Sequence, residues 1–141
     1  KNELTTTGGL DVVRHADELT EKIARLRGEG IRVSVFVDTN KAQIRKARMV
    51  GADAIEINTG PYADADEHEQ HKRLEYVKEA VKYAGRQNLE VLAGHGLTYV
   101  NVQPISGIQD IVELNIGHSL VSRAVLVGIE RAVREMKELL A

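Results

Sequence analysis

The chain contains no cysteine. That removes disulfides, thiolate zinc sites and cysteine nucleophiles together, and it leaves a reducing cytoplasm as the expected location. No apolar run approaches the ~20 residues that a membrane-spanning helix needs. No signal peptide is visible, so no membrane partner is expected. A charge excess is lacking too: 19 Lys and Arg stand against 21 Asp and Glu, for a formal net charge of −2. Such a chain has no basic surplus with which to hold nucleic acid. Proline occurs only as Pro61 and Pro104, both in segments that read as loops. Linker-like, low-complexity and repeated stretches are missing. What remains is 141 residues, 43% hydrophobic and 28% charged, which suits one globular domain with a core. The chain opens Lys1-Asn2-Glu3 rather than with Met and is expected to be a fragment.

Its strongest pattern is alternation. Residues 32–37 read as a strand ended by Asp38, and residues 54–57 as a second ended by Asn58-Thr59-Gly60. Residues 90–93 form a third, ended by Gly94-His95-Gly96, and residues 111–114 a fourth, ended by Asn115-Ile116-Gly117-His118. Helical patterns lie between them. Residues 16–27 carry Leu19, Ile23 and Leu26 on one face and are stopped by Gly28 and Gly30. Residues 41–50 place Ile44, Ala47 and Val50 on one side, with Asn40 as N-cap. Residues 67–86 repeat Leu74, Val77, Val81 and Ala84 and break near Asn88. A short helix over 119–127 is separated by Gly128 from a last one over 129–140. Strands alternating with helices predict right-handed βαβ units and a parallel sheet. Four units fit a small open α/β domain, or somewhat over half of a (β/α)-barrel, which takes ~250 residues when complete.

Ligands of such folds bind at the carboxyl ends of the strands. Those ends carry Asp38, Glu56 with Asn58, His95 and the Gly117-His118 pair. Glu56 lies between Ile55 and Ile57, and period-two alternation turns the isoleucines toward the helices and Glu56 inward. An inward carboxylate is costly unless it is used or paired, so a functional role competes with a structural ion pair to Lys or Arg. His95 sits between two glycines that permit unusual backbone angles, and histidine exchanges protons near neutral pH. The plainer alternative is a tight turn. Gly117-His118 opens a helix, where free N–H groups favour an anion; with Gly96 on the preceding strand end it predicts a phosphate site. His68 and His71, with Glu67 and Glu69, have a spacing that metals accept. The dense charge around them reads better as a solvated helix start, and no metal site is expected. His15 reads as a surface residue. Thr5-Thr6-Thr7-Gly8-Gly9 is a polar loop that suits phosphate or hydroxyl groups but lacks the lysine of a P-loop. Tyr62 and Tyr99 fit either a pocket lining or core packing.

Four runs carry a resemblance. Thr5-Thr6-Thr7-Gly8-Gly9-Leu10-Asp11-Val12 is the first, and Ile55-Glu56-Ile57-Asn58-Thr59-Gly60 with Tyr62-Ala63 the second. Ala93-Gly94-His95-Gly96-Leu97-Thr98-Tyr99 and Glu113-Leu114-Asn115-Ile116-Gly117-His118 complete the set. In order and spacing the chain resembles the C-terminal part of the pyridoxine 5'-phosphate synthase family. The resemblance implies that residues 1–141 are the C-terminal portion of one (β/α)₈ TIM-barrel domain. It implies condensation of 1-deoxy-D-xylulose 5-phosphate with 3-amino-2-oxopropyl phosphate to pyridoxine 5'-phosphate, inorganic phosphate and water. It further implies no redox cofactor, no required metal and a homo-octamer. By position, His95 resembles the proton donor and Glu56 the carboxylate that stabilises the transition state. Gly96, Gly117 and His118 resemble the pocket of the aminooxopropyl phosphate, and Thr5 a contact to the deoxyxylulose phosphate. The family's other histidine, its arginine and a second glutamate belong to the first three strands, so the working protein is expected to be larger than this chain. Asn58 stands where some relatives carry His. Two other readings compete: a different phosphate-binding barrel such as an aldolase, for which no predicted strand supplies a terminal lysine, and a non-catalytic half-barrel that binds a phosphorylated metabolite.

Overall fold

Burial of β-branched residues on one side of short strands organises the molecule. The computed structural model describes residues 8–140. After α1 (Ala16–Gly28) come β1 (Ser34–Val37), α2 (Lys41–Met49), β2 (Ala54–Asn58), α3 (Gly60–Ala63) and α4 (Glu67–Arg86). They are followed by β3 (Glu90–Gly94), α5 (Gln103–Ser106), β4 (Glu113–Asn115), α6 (His118–Val127) and α7 (Ile129–Leu140). The four strands form one parallel sheet in the order β1-β2-β3-β4. This is the parallel βα arrangement that the alternation predicted, and it is an arc of a (β/α) barrel.

Register separates two faces. Val35, Val37, Ile55, Ile57, Val91 and Ala93 are buried with Ile44, Ala47, Val77, Val81 and Ala84 of the helices. Burying a side chain of this kind contributes about 1.5–3 kcal/mol. Phe36 pairs with Glu56, Glu56 with Leu92, and Leu92 with Glu113, so these four share the opposite face. Asn58, Gly94 and Asn115 form the next row of that face, at its carboxyl edge.

Local chemistry sets the helix starts. Asn40 accepts from the backbone N–H groups of Ala42 and Gln43, and Asp66 from those of His68 and Glu69. Pro61 and Pro104 were expected in loops, but they lie in the first turns of α3 and α5, where a missing N–H costs nothing. The fourth strand begins at Glu113 rather than 111, because the Ile111 N–H turns back to the Ile108 carbonyl and only Val112 onward reaches β3. Tyr62 is a core residue, 2% exposed, and its hydroxyl donates to the Asn101 carbonyl at 2.7 Å. Tyr99 is partly buried and donates to the Ala132 carbonyl at 2.8 Å, which ties its loop to α7.

α6 and α7 form a hairpin clasped by charge. Arg123 Nε donates to Glu135 at 2.8 Å and Arg131 Nε at 2.7 Å. These two guanidinium groups hold the Glu135 carboxyl down at about 2. None of the α6 residues is buried, and Val121, Val125 and Leu126 face outward. Among the described residues, no helix is long and apolar enough to cross a membrane.

Candidate active site

The ends of two adjacent strands, β3 and β4, build one carboxyl-end cleft. It has a volume of about 640 Å³ and is lined by residues 95–98 after β3 and 115–119 at the β4–α6 junction. His95, Gly96, Gly117 and His118 all line it. Thr5 lies outside the described residues.

Glu56 occupies the middle of β2, between the fully buried Ile55 and Ile57, and is itself only partly buried. Loss of water around the carboxyl raises its pKa above the ordinary 4.5, and the nearby Glu113 charge pushes the same way. A hydrogen bond from Asn115 and the proximity of His95 oppose the rise without cancelling it. Among the described residues, no Lys or Arg stands among the groups that set its ionisation.

Gly94 makes room for this carboxylate. A Cβ at Gly94 would overlap Glu56 Oε1 and come within 2.9 Å of the Asn115 carbonyl. The glycine therefore lets Glu56 lie flat across β3 toward Asn115. His95 follows with φ at +81°, a left-handed conformation unusual for a residue with a Cβ. Its ring meets the edge of Phe36, with centroids 6.3 Å apart and planes at 60°.

The start of α6 differs from those of α2 and α4. Its N-cap is Gly117, which offers no side chain to the first-turn N–H groups. A Cβ at Gly117 would meet nothing within 4 Å, so the space beside it is open. Ser119 donates to the Leu97 carbonyl at 2.8 Å and fastens this helix start against the His95 loop. Free N–H groups at a helix start form a site suited to an anion.

Sequence reasoning missed three contributors. Asn115 lay inside a quoted motif but read as a strand terminator; its two-residue offset from Glu113 was the signal that both share the Glu56 face. Thr98 and Ser119 line the cleft, and nothing short of the loop geometry marks them. His68 and His71 are exposed on the first two turns of α4, away from this cleft. Among the described residues, no group of three His, Asp or Glu is placed to hold a metal ion.

The raised Glu56 pKa gives a signed prediction. Below about pH 4 the carboxyl is protonated both folded and unfolded, and its burial costs nothing. As pH climbs through the ordinary value toward the raised one, the unfolded chain sheds the proton first and stability falls. Glu56→Gln should therefore raise the melting temperature at about pH 7.5 and leave it nearly unchanged at about pH 3.5. An equal shift at both pH values would remove ionisation as the cause.

Comparison with known proteins shows the family of the chain. The family model of Pyridoxal phosphate biosynthesis protein PdxJ matches residues 1–141. The pyridoxine 5'-phosphate synthase of Pelobacter propionicus is 49% identical over 141 residues, covering 99% of this chain and 59% of that protein. That of Trichlorobacter lovleyi is 50% identical over 141 residues, with coverages of 99% and 59%. That of Legionella pneumophila (strain Corby) is 48% identical over 141 residues, with coverages of 99% and 57%. The chain thus spans less than two thirds of the length of the curated relatives it matches.

Proposed function

Since the chain belongs to the Pyridoxal phosphate biosynthesis protein PdxJ family, we propose that it is the C-terminal part of a pyridoxine 5'-phosphate synthase barrel. The full protein would condense 1-deoxy-D-xylulose 5-phosphate with 3-amino-2-oxopropyl phosphate, releasing inorganic phosphate and water. One observation carries this reading: His95 and the uncapped start of α6 line one cleft at the carboxyl ends of β3 and β4, with Glu56 hydrogen-bonded to Asn115 of its lining.

The chemistry needs what these groups offer. Joining an amine to a ketone develops positive charge at nitrogen, which a carboxylate stabilises when aimed at it in a water-poor cleft. Glu56 would play that part. Loss of water needs a proton delivered to a departing hydroxyl, and His95 at the cleft wall would donate it. The α6 start, with Gly117 and His118, would hold the phosphate of the aminooxopropyl substrate, and Gly96 would let it approach the β3 loop. Binding energy at the phosphate would then orient the reacting carbons. A homo-octamer and a cytoplasmic location belong to the same proposal. The exposed Val121, Val125 and Leu126 of α6 support further chain or further subunits packing there.

A condensation assay on the full-length protein tests the reading. Pyridoxine 5'-phosphate and inorganic phosphate should form in equal amounts; neither forming from the two substrates would refute it. Gly117→Val places two methyl groups in the open space beside the α6 start. It should raise KM for the aminooxopropyl phosphate by about 10-fold or more, the loss expected for a charged contact of roughly 1.5–3 kcal/mol. An unchanged KM would move the phosphate elsewhere.

A further inference from the structure

The conformation of His95 has to be held by something, because a side chain with a Cβ disfavours positive φ. Thr59, immediately after β2, is fully buried, and the cleft-lining residues do not include it. Its Oγ1 lies 2.7 Å from the Gly94 carbonyl oxygen and 2.7 Å from the His95 carbonyl oxygen. Its own N–H donates to the same Gly94 carbonyl at 2.8 Å. These two carbonyls belong to the peptide planes before and after His95. One plane sets φ of His95 and the other sets ψ. A single hydroxyl proton shared between them therefore fixes both torsions of one residue. The next residue, Gly60, completes the arrangement from below. A Cβ there would come within 2.6 Å of His95 Cδ2 and 3.4 Å of Nε2, so the imidazole occupies the space that a side chain would fill.

We infer that Thr59 is the positioning residue of His95: its hydroxyl clamps both flanking peptides so that the imidazole is presented to the cleft, and the bare Gly60 leaves the gap in which the ring lies. The inference rests on His95 being the proton donor. Thr59 touches no substrate. It acts through the histidine alone, from the end of a neighbouring strand.

The test is a double-mutant cycle in the full-length protein, followed by steady-state turnover of the two phosphorylated substrates. Thr59→Val keeps the shape and removes the hydroxyl. It should lower kcat by about 100-fold, the scale of a small misplacement of a reacting group, with both KM values unchanged. Thr59→Ser restores the hydroxyl and should restore kcat to within a few-fold. In a His95→Asn background, Thr59→Val should cost nothing further, because the group it positions is gone. Unchanged kcat in Thr59→Val, failure of serine to restore it, or an equal loss in both backgrounds would each overturn the inference. If Thr59→Val does not fold, Gly60→Ala decides: it should show the same kcat-only loss, absent in the His95→Asn background, and normal turnover would overturn the gap argument. Failure of the parent reading is separate. Normal turnover in His95→Asn alone removes the proton donor, whereas an inactive His95→Asn with a normal Thr59→Val removes only the positioning.

Discussion

Replacing His95 by asparagine is expected to lower kcat of the full-length protein by roughly 10²- to 10⁴-fold, the span over which positioned general acids act. Asparagine is the informative choice. It tolerates the left-handed conformation that His95 adopts at φ +81°, whereas alanine would add a backbone penalty to the loss of the imidazole. It also keeps a polar side chain near Phe36 but cannot deliver a proton. Phosphate binding should survive, because the open N–H groups at the α6 start do not depend on the ring. Titrating the variant with the aminooxopropyl phosphate and measuring its turnover separates the two effects. Retained turnover would reassign the proton donor; lost binding would mean that the ring helps hold the phosphate.

The second large effect is expected at Gly94. Valine there drives its Cβ into Glu56 Oε1 and against the Asn115 carbonyl at 2.9 Å. Neither neighbour yields easily. The Asn115 backbone is held in the β3–β4 ladder opposite Gly94 itself, and the Glu56 carboxyl is bonded to the Asn115 side chain. Overpacking of this kind costs about 1–3 kcal/mol, and here it also displaces a proposed catalytic carboxylate. Gly94→Val should therefore lower the denaturation midpoint and abolish turnover together. Pairing the smaller Gly94→Ala with Glu56→Ala tests the cause. The double variant should recover part of the stability lost by Gly94→Ala, the Asn115 carbonyl contact remaining, and none of the activity. Additive losses of stability would show that the glycine serves the backbone rather than the carboxylate.

The legible parts of the fold were those with a long, regular signal. The helix over 67–86 matches α4, and that over 129–140 matches α7, because three or more turns of apolar spacing override local ambiguity. The two four-residue helices around Pro61 and Pro104 were unreadable: one turn carries no periodicity, and proline fits a loop as well as a helix start. The displaced start of β4 has a similar origin. Ile111 has a strand-like side chain, but the chain is still turning where it stands. At the site, Glu56 was legible because a charge between two isoleucines breaks a rule about burial, and His95 because glycines flank it. Thr59 and Asn115 broke no rule. Their roles depend on which strand lies beside which, and that is settled only by the register of the assembled sheet.

The strand order has a consequence for biosynthesis. Each strand of the sheet lies beside the one made just before it. A chain emerging from the ribosome can therefore lay β2 on β1, β3 on β2 and β4 on β3 as each is released, so that each of these three pairings is made with the strand just before it. The cleft is finished last, because Asn115 and the α6 start come from the latest segment. Nascent chains stalled before residue 113 would carry Glu56 and His95 on an assembled edge while lacking the Asn115 bond and the proposed phosphate seat.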